Sequence, residues 1–254
     1  MKAIIDINGL QAKKHKENNK RLETFLTILS DLSIKYEFSG DKGITKKELK
    51  KSDLLIITTR YPKRYCKEEI KNIYNYVQEV GSLLLMSNHG DWPDKGLCDT
   101  RKFDAELTSK FDVDIENTIF KNPLPRVRTT LTRKVFNNDH PIIKGFDNNP
   151  VYSIVINNCS SISSIKKNTG TPIVSLSHEM EDKKNGVSYR NRYFAVSLDE
   201  NSELYPKIKG RVVIISDSGF IGTRCTNNPG PGLIEEGDNS IFIKNTLLWL
   251  LREN

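Results

Sequence analysis

A doubly wound α/β fold, a mostly parallel sheet with helices on both faces, is predicted for this 254-residue chain by three features of its sequence. Four short strand-like runs, KAIIDI (2–7), KYEFSG (35–40), DLLIITT (53–59) and GSLLLM (81–86), are separated by segments with helical patterning. DLLIITT has almost no polar interruption, as a strand buried on both faces of a parallel sheet requires. A further core run of the same style, GRVVIISDSGF (210–220), returns late in the chain. Right-handed crossovers turn such a βαβαβαβ series into one parallel sheet.

The elements follow in order. After KAIIDI and a polar loop, Leu22, Phe25, Leu26, Leu29 and Leu32 recur at helical spacing. ITKKELKK reads as a short helix in which Thr45 and Glu48 fit a capping box. KEEIKNIYNYVQEVG carries an apolar stripe of Ile70, Ile73, Tyr74 and Val77, acidic residues in its first turn, and Gly81 as its expected C-cap. Strand 82–86 follows. FDAELTSKFDVDI (103–115) reads as one helix, after which VYSIVI, TPIVSLS and RYFAVSL predict an antiparallel extension of the sheet in the second half. The loop around NNPGPG, containing Arg224, is a candidate lid or partner-binding loop. It leads to a last helix, SIFIKNTLLWLLREN, with Asn239 and Ser240 as expected caps.

With 37% hydrophobic and 28% charged residues the chain reads as soluble and globular, and with no internal repeat or linker it is expected to be one domain over residues 1–254. No apolar run approaches the roughly 20 residues a membrane helix needs. MKAIIDING has no small-residue cleavage site, so a cytoplasmic location is expected. Cys66, Cys98, Cys159 and Cys225 are scattered without a paired or zinc-like spacing and read as reduced thiols. The net charge of +7 invites a nucleic-acid reading. It is not the favoured one: Lys, Asn and Ile are enriched throughout the chain, and the local clusters QAKKHKENNKR and KKELKK stand at helix starts or loops.

The run ITKKELKKSDLLIITT, then CKEEIKNIYNYVQEVGSLLLM, followed by HPIIKGF (140–146), GTPIVSLS (170–177), GRVVIISDSGFIG (210–222) and DNSIFIKNTLLWLL (238–251), resembles the class I glutamine amidotransferase-like superfamily. The resemblance is to its branch of single-domain and transport-associated members, which includes the intraflagellar-transport N-terminal domain. It spans nearly the whole chain and implies a flavodoxin-like strand order. Catalytic members of that superfamily place a cysteine on the turn after the strand equivalent to 82–86 and pair it with a later histidine and a carboxylate. Here the turn reads Met86, Ser87, Asn88, His89, Gly90, so the thiol is absent, and MSNHG lacks the Gly-x-Ser-x-Gly elbow that would expose Ser87. Glutamine hydrolysis by the family mechanism is therefore not expected. His178 would stand for the late histidine only if its strand reached the site.

In an open α/β sheet, ligands bind beyond the carboxyl ends of the strands near the switch in strand order. With a flavodoxin-like order the residues converging there are Asp6 and Asn8, Thr59 and Arg60, Asn88, His89 and Asp91, and Asp217 and Ser218. Each has a bland explanation: Asp6 and Asn8 satisfy turn backbone, Arg60 pairs with a nearby carboxylate, His89 bonds its own loop, Asp217 caps the next segment. No metal or cofactor is expected, since no HxH, HExxH or DxH spacing accompanies Asp6, His89, Asp91 and Asp217, and His140 before proline reads as structural. The expectation is a non-catalytic binding or scaffold domain with a protein partner, or with a small anionic ligand at the strand ends (Asp6, Asn8, Thr59, Arg60, Asn88, Ser218, Arg224). The alternative is a hydrolase using His89 with Asp91, Asp6 or Asp217 on a water or a metal; nucleic-acid association ranks below both.

Overall fold

Residues 1–90, 99, 101–123, 128–164, 170–199, 202, 208–223 and 232–252 are described by the structure, a computed structural model. Strand β1 (Lys2–Ile5) is followed by helix rather than by the expected polar loop. Helix α1 (Leu10–Lys14) buries Leu10, Gln11 and Ala12 and runs on into a π-helical turn, His15–Asn19. Two short turns with three buried residues are too brief to show helical periodicity among so many lysines. Helix α2 (Glu23–Asp31) buries Phe25, Leu26 and Leu29, and β2 (Lys35–Phe38) alternates in exposure as an edge strand does.

The short helix α3 (Lys46–Leu49) begins with the Thr45–Glu48 capping box. Strand β3 (Leu54–Thr58) is buried throughout. Helix α4 (Lys67–Glu79) has a second capping box, in which the Cys66 Sγ accepts from the Glu69 N–H and the Glu69 carboxylate accepts from the Cys66 N–H. Its C-cap is Val80, not Gly81. Gly81 is needed for a different reason, because a Cβ there would lie 2.0 Å from the Tyr76 ring.

Strand β4 (Ser82–Met86) is wholly buried. The single helix expected over 103–115 is instead α5 (Arg101–Thr108), a 3-10 turn (Ser109–Phe111) and a strand, β5 (Val113–Ile115). Asp112, left-handed at φ 51, ends the helical stretch, as a short polar side chain can. Strands β6 (Phe120–Lys121), β7 (Thr129–Thr132), helix α6 (Pro141–Lys144) and β8 (Ser153–Ile156) follow. After them come β9 (Ile162–Ser164), β10 (Thr171–Ser175), β11 (Glu181–Asp182), β12 (Tyr193–Leu198), β13 (Val212–Ile215) and α7 (Asn239–Leu250).

The main sheet has the order β2-β1-β3-β4-β13-β12-β9-β5, with β10 also paired to β12. Strands β2, β1, β3, β4 and β13 are parallel. Strands β12, β9, β5 and β10 are added antiparallel. This is the flavodoxin-like order with the antiparallel extension expected of the second half. VYSIVI is the exception: β8 pairs with β7 in a separate two-stranded sheet.

Alternation along the strands divides the core. Ala3, Ile5, Leu54, Ile56, Leu84, Met86, Val213 and Ile215 pack on one face with α2 and α7. Ile4, Leu55, Ile57, Leu83, Leu85, Val212 and Ile214 pack on the other with α4 and α5. Both faces are covered, which is why these strands read as continuous apolar runs. Asn239 is not a side-chain cap of α7: its amide bonds the backbone of Val155 and Leu233, while the Asp238 carboxylate accepts from the N–H groups of Tyr152 and Ser153.

Candidate functional site

Register sets the site. Thr58 pairs with Met86, and Met86 with Ile215, so β3, β4 and β13 end level and their next residues emerge at one edge. Two polar clusters form there.

The first is centred on Arg60, whose side chain is fully buried. Its Nε donates to Asp6 Oδ2 at 2.7 Å and its Nη2 to Asp6 Oδ1 at 3.2 Å and to Glu69 Oε1 at 2.8 Å. The guanidinium also lies 4.0 Å from the centroid of the Tyr65 ring. Burial opposes the charge on Arg60, but Tyr65, Asp6 and Glu69 outweigh it and hold the guanidinium protonated. Burial likewise raises the Glu69 carboxyl, yet bonds from Arg60, then from the backbone of Cys66, and further bonds bring it below the usual carboxylate range. Asn8 donates its backbone N–H to Asp6 Oδ1, and its buried side-chain Nδ2 has no hydrogen-bond partner among the described residues.

Thr59 faces a different carboxylate. Its hydroxyl donates to Asp104 Oδ2 at 2.5 Å, and the Ser87 hydroxyl donates to the same oxygen at 2.8 Å. Asp104 comes from α5 and is fully buried; burial pushes its carboxyl up to about 7 against the pull of Thr59 and Ser87.

The second cluster lies beside β13. Asn88 Nδ2 donates to Ser218 Oγ at 3.4 Å, and Gln11 Nε2 donates to the same oxygen at 3.3 Å. Arg21 Nε donates to Gln11 Oε1 at 3.1 Å. Asp217 Oδ1 accepts from the Gly219 N–H at 2.7 Å, so Asp217 caps the following 3-10 turn, Ser218–Ile221. Its buried Oδ2 has no partner among the described residues. Burial pushes this carboxyl up to about 7, with the Gly219 bond and the Arg21 charge opposing. A buried carboxyl of that kind can hold or release a proton near neutral pH.

His89 is half-buried, and its Nδ1 lies 2.7 Å from the carbonyl oxygen of Gly90 in its own turn. Asp91 and Arg224 lie outside the described residues, as do Cys98 and Cys225. Among the described residues no three His, Cys, Asp or Glu side chains are grouped to hold a metal ion. His140 caps α6, with Nδ1 accepting from the Ile142 N–H and Nε2 2.8 Å from Ser197 Oγ. Burial, with the Arg211 charge, lowers it to about 4 and keeps it neutral. His178 is exposed and follows β10, two strands out from β13.

The edge therefore joins Asp6 with Arg60, and Asn88 with Ser218, while Thr59 reaches an acid the sequence reading did not select. Glu69, Asp104 and Gln11 were missed. Glu69 had a usable signal, three residues after Cys66 at a helix start, the spacing of a capping box. Asp104 had none, because an acid in an amphipathic helix reads as solvent-facing.

These features define a flavodoxin-like α/β domain with a polar strand-end edge and no cysteine in the turn Ser87–Gly90. Solved structures share the fold at low identity. The N-terminal domain of mmIFT52 is 13% identical with a TM-score of 0.69, covering 100% of this chain and 98% of that one. A ThuA-like protein from Bacteroides uniformis is 14% identical at 0.57, covering 100% and 92%. A cytoplasmic protein from Salmonella typhimurium LT2 is 14% identical at 0.58, covering 98% and 99%. No family model matches the chain, and no curated protein matches it.

Proposed function

We propose that residues 1–254 form one amidotransferase-like binding domain without glutaminase chemistry, acting in a cytoplasmic protein assembly. One observation carries the reading. The turn that holds the nucleophile in catalytic members of the resembled superfamily carries here a fully buried Ser87 whose hydroxyl donates to Asp104, and His89 turns back onto Gly90. Ser87 is buried away from any substrate carbonyl, so although its hydroxyl donates to the Asp104 carboxylate it is not placed to attack as a nucleophile. The likeness to the mmIFT52 domain over the full length of both chains supports the assembly role, and the Salmonella neighbour's description supports the location. A small anion at the strand ends is the weaker part of the proposal, since Arg60 is already satisfied by Asp6 and Glu69.

One observation favours a second reading, a hydrolase: Asp217 keeps an unpartnered carboxylate oxygen and a carboxyl near 7. The two are separated by assaying ammonia release from glutamine and hydrolysis of acyl and phosphate esters by wild type, His89→Ala and Asp217→Asn. The binding reading expects no turnover above buffer in any of them, and a protein partner retained at equal stoichiometry by all three. Turnover that falls in either variant establishes the hydrolase instead.

A further inference from the structure

Away from the strand ends, α4 and α5 cover one face of the sheet. Ile70, Ile73 and Val77 of α4 enter the same core as Leu107 and Phe111 from α5 and its 3-10 extension. The two helical segments meet where the Tyr74 and Phe111 rings lie 5.7 Å apart. Beside that contact runs an open groove of about 650 Å³, with Lys67, Ile70, Lys71 and Tyr74 on the α4 side and Glu106 and Lys110 on the other.

We infer that this groove receives an acidic amphipathic helix of a partner protein. The inference rests on the binding-domain reading and names the partner's chemistry. Ile70 and Tyr74 stand one helical turn apart and form an apolar floor, which suits two apolar side chains one turn apart on an opposing helix. Lys67 and Lys71 stand one turn apart on the rim, are exposed, and form no ion pair among the described residues. Glu106 and Lys110 stand on the opposite rim, so the exposed basic side of the groove is the Lys67 and Lys71 pair. Carboxylates flanking an apolar stripe meet both features, and the charge match steers the encounter. A nucleic-acid strand would satisfy the lysines alone, because the floor offers one half-buried tyrosine and no row of exposed aromatic rings for base stacking.

The test uses the full chain and a fluorescein-labelled helical peptide of about 14 residues, with leucines at helical spacing and glutamates beside them. A lysine-for-glutamate version of the peptide and a single-stranded oligonucleotide are the comparison probes. The acidic peptide is expected to raise the anisotropy, to bind about tenfold more weakly at high salt, and to bind at least tenfold more weakly to the Lys67→Glu, Lys71→Glu double variant. Both lysines are exposed, so the melting temperature should not move. Lys46→Glu with Lys50→Glu, on the α3 side of α4, should leave binding unchanged. No binding, equal binding of the lysine peptide, or indifference to the double variant overturns the inference. So does an oligonucleotide that binds the same lysines and displaces the peptide. If a native partner is retained in full by the double variant, the groove assignment falls while the binding-domain reading stands.

Discussion

The two ends of the parallel sheet's carboxyl edge handle buried charge in opposite ways. At β1 and β3, one guanidinium answers two carboxylates, with a tyrosine ring beside it, and every charge has a counter-charge in contact. At β13, Asp217 has only a backbone N–H on one oxygen and nothing among the described residues on the other. The first pairs all its charges and ties β1, β3 and α4 together, although the buried Asn8 Nδ2 and Tyr65 Oη beside it have no partner among the described residues. The second keeps unused hydrogen-bonding capacity in a buried place, at a cost to stability that packing elsewhere must offset. Polar residues at a strand end are therefore not evidence for a site by number alone. What separates a bolt from a candidate site is whether the charged groups satisfy one another.

Removing the centre of the first cluster gives the largest expected effect. Arg60→Met leaves Asp6 and Glu69 buried without their cation and should cost about 3–5 kcal/mol in urea unfolding at neutral pH. Arg60→Lys should recover only part of that, since an ammonium cannot reproduce the two-pronged contact with Asp6. A loss below about 1 kcal/mol for the methionine variant would mean the comparison is wrong and the cluster is not structural.

The second expected effect is a difference in sign with pH. Glu69 is held below the usual range in the fold, so its contribution is present above the unfolded value and fades as acid protonates it. Asp217, like Asp104, is raised to about 7 from an ordinary value of 3.8. The native state then holds a proton the unfolded chain has released, and stability falls as pH rises between those two values. Asp217→Asn should flatten part of that fall and gain roughly 1 kcal/mol at pH 8, where the wild type buries a charge without a full set of partners. Unfolding measured across pH 4 to 8 checks this, and a profile identical to wild type would show that Asp217 is not the titrating group.

How much of this was legible in the sequence depends on the range of the interaction. Strands β1, β3 and β4 were readable because both faces are buried and the apolar run is unbroken, and the Thr45–Glu48 cap because its partners are three residues apart. The level ending of the strands followed from the topology, and it brought Asp6, Arg60, Asn88 and Ser218 to one edge of the sheet. The partners did not follow. Glu69 read only as one of the acidic residues in a helix's first turn, and Asp104 only as one residue of a helix over 103–115; their burial is decided by how α4 and α5 lie across strands far away in sequence. Asn239 failed in the same way, a residue of good local capping type that is engaged by the distant backbone of Val155. The segment after β1 was lost to composition, since lysines mask three buried positions in α1.

The smaller effects test what holds the turn after β4. Ser87→Ala removes a buried hydroxyl bonded to Asp104 and should cost about 1 kcal/mol, and more above the pH at which Asp104 ionises, because the ionised form is the one that needs the donor. His89→Ala should cost less, about 0.5 kcal/mol or under. His89 is half-buried, and the bond recorded for its ring Nδ1 is to the carbonyl of the adjacent Gly90. Measured together at pH 8, the two variants rank the turn: a larger loss for Ser87 than for His89 means that the turn after β4 is held by its contact with α5. The reverse order would place His89 in a network that stabilises the edge from the open side. It would make the histidine, rather than Asp217, the group to follow in any search for activity.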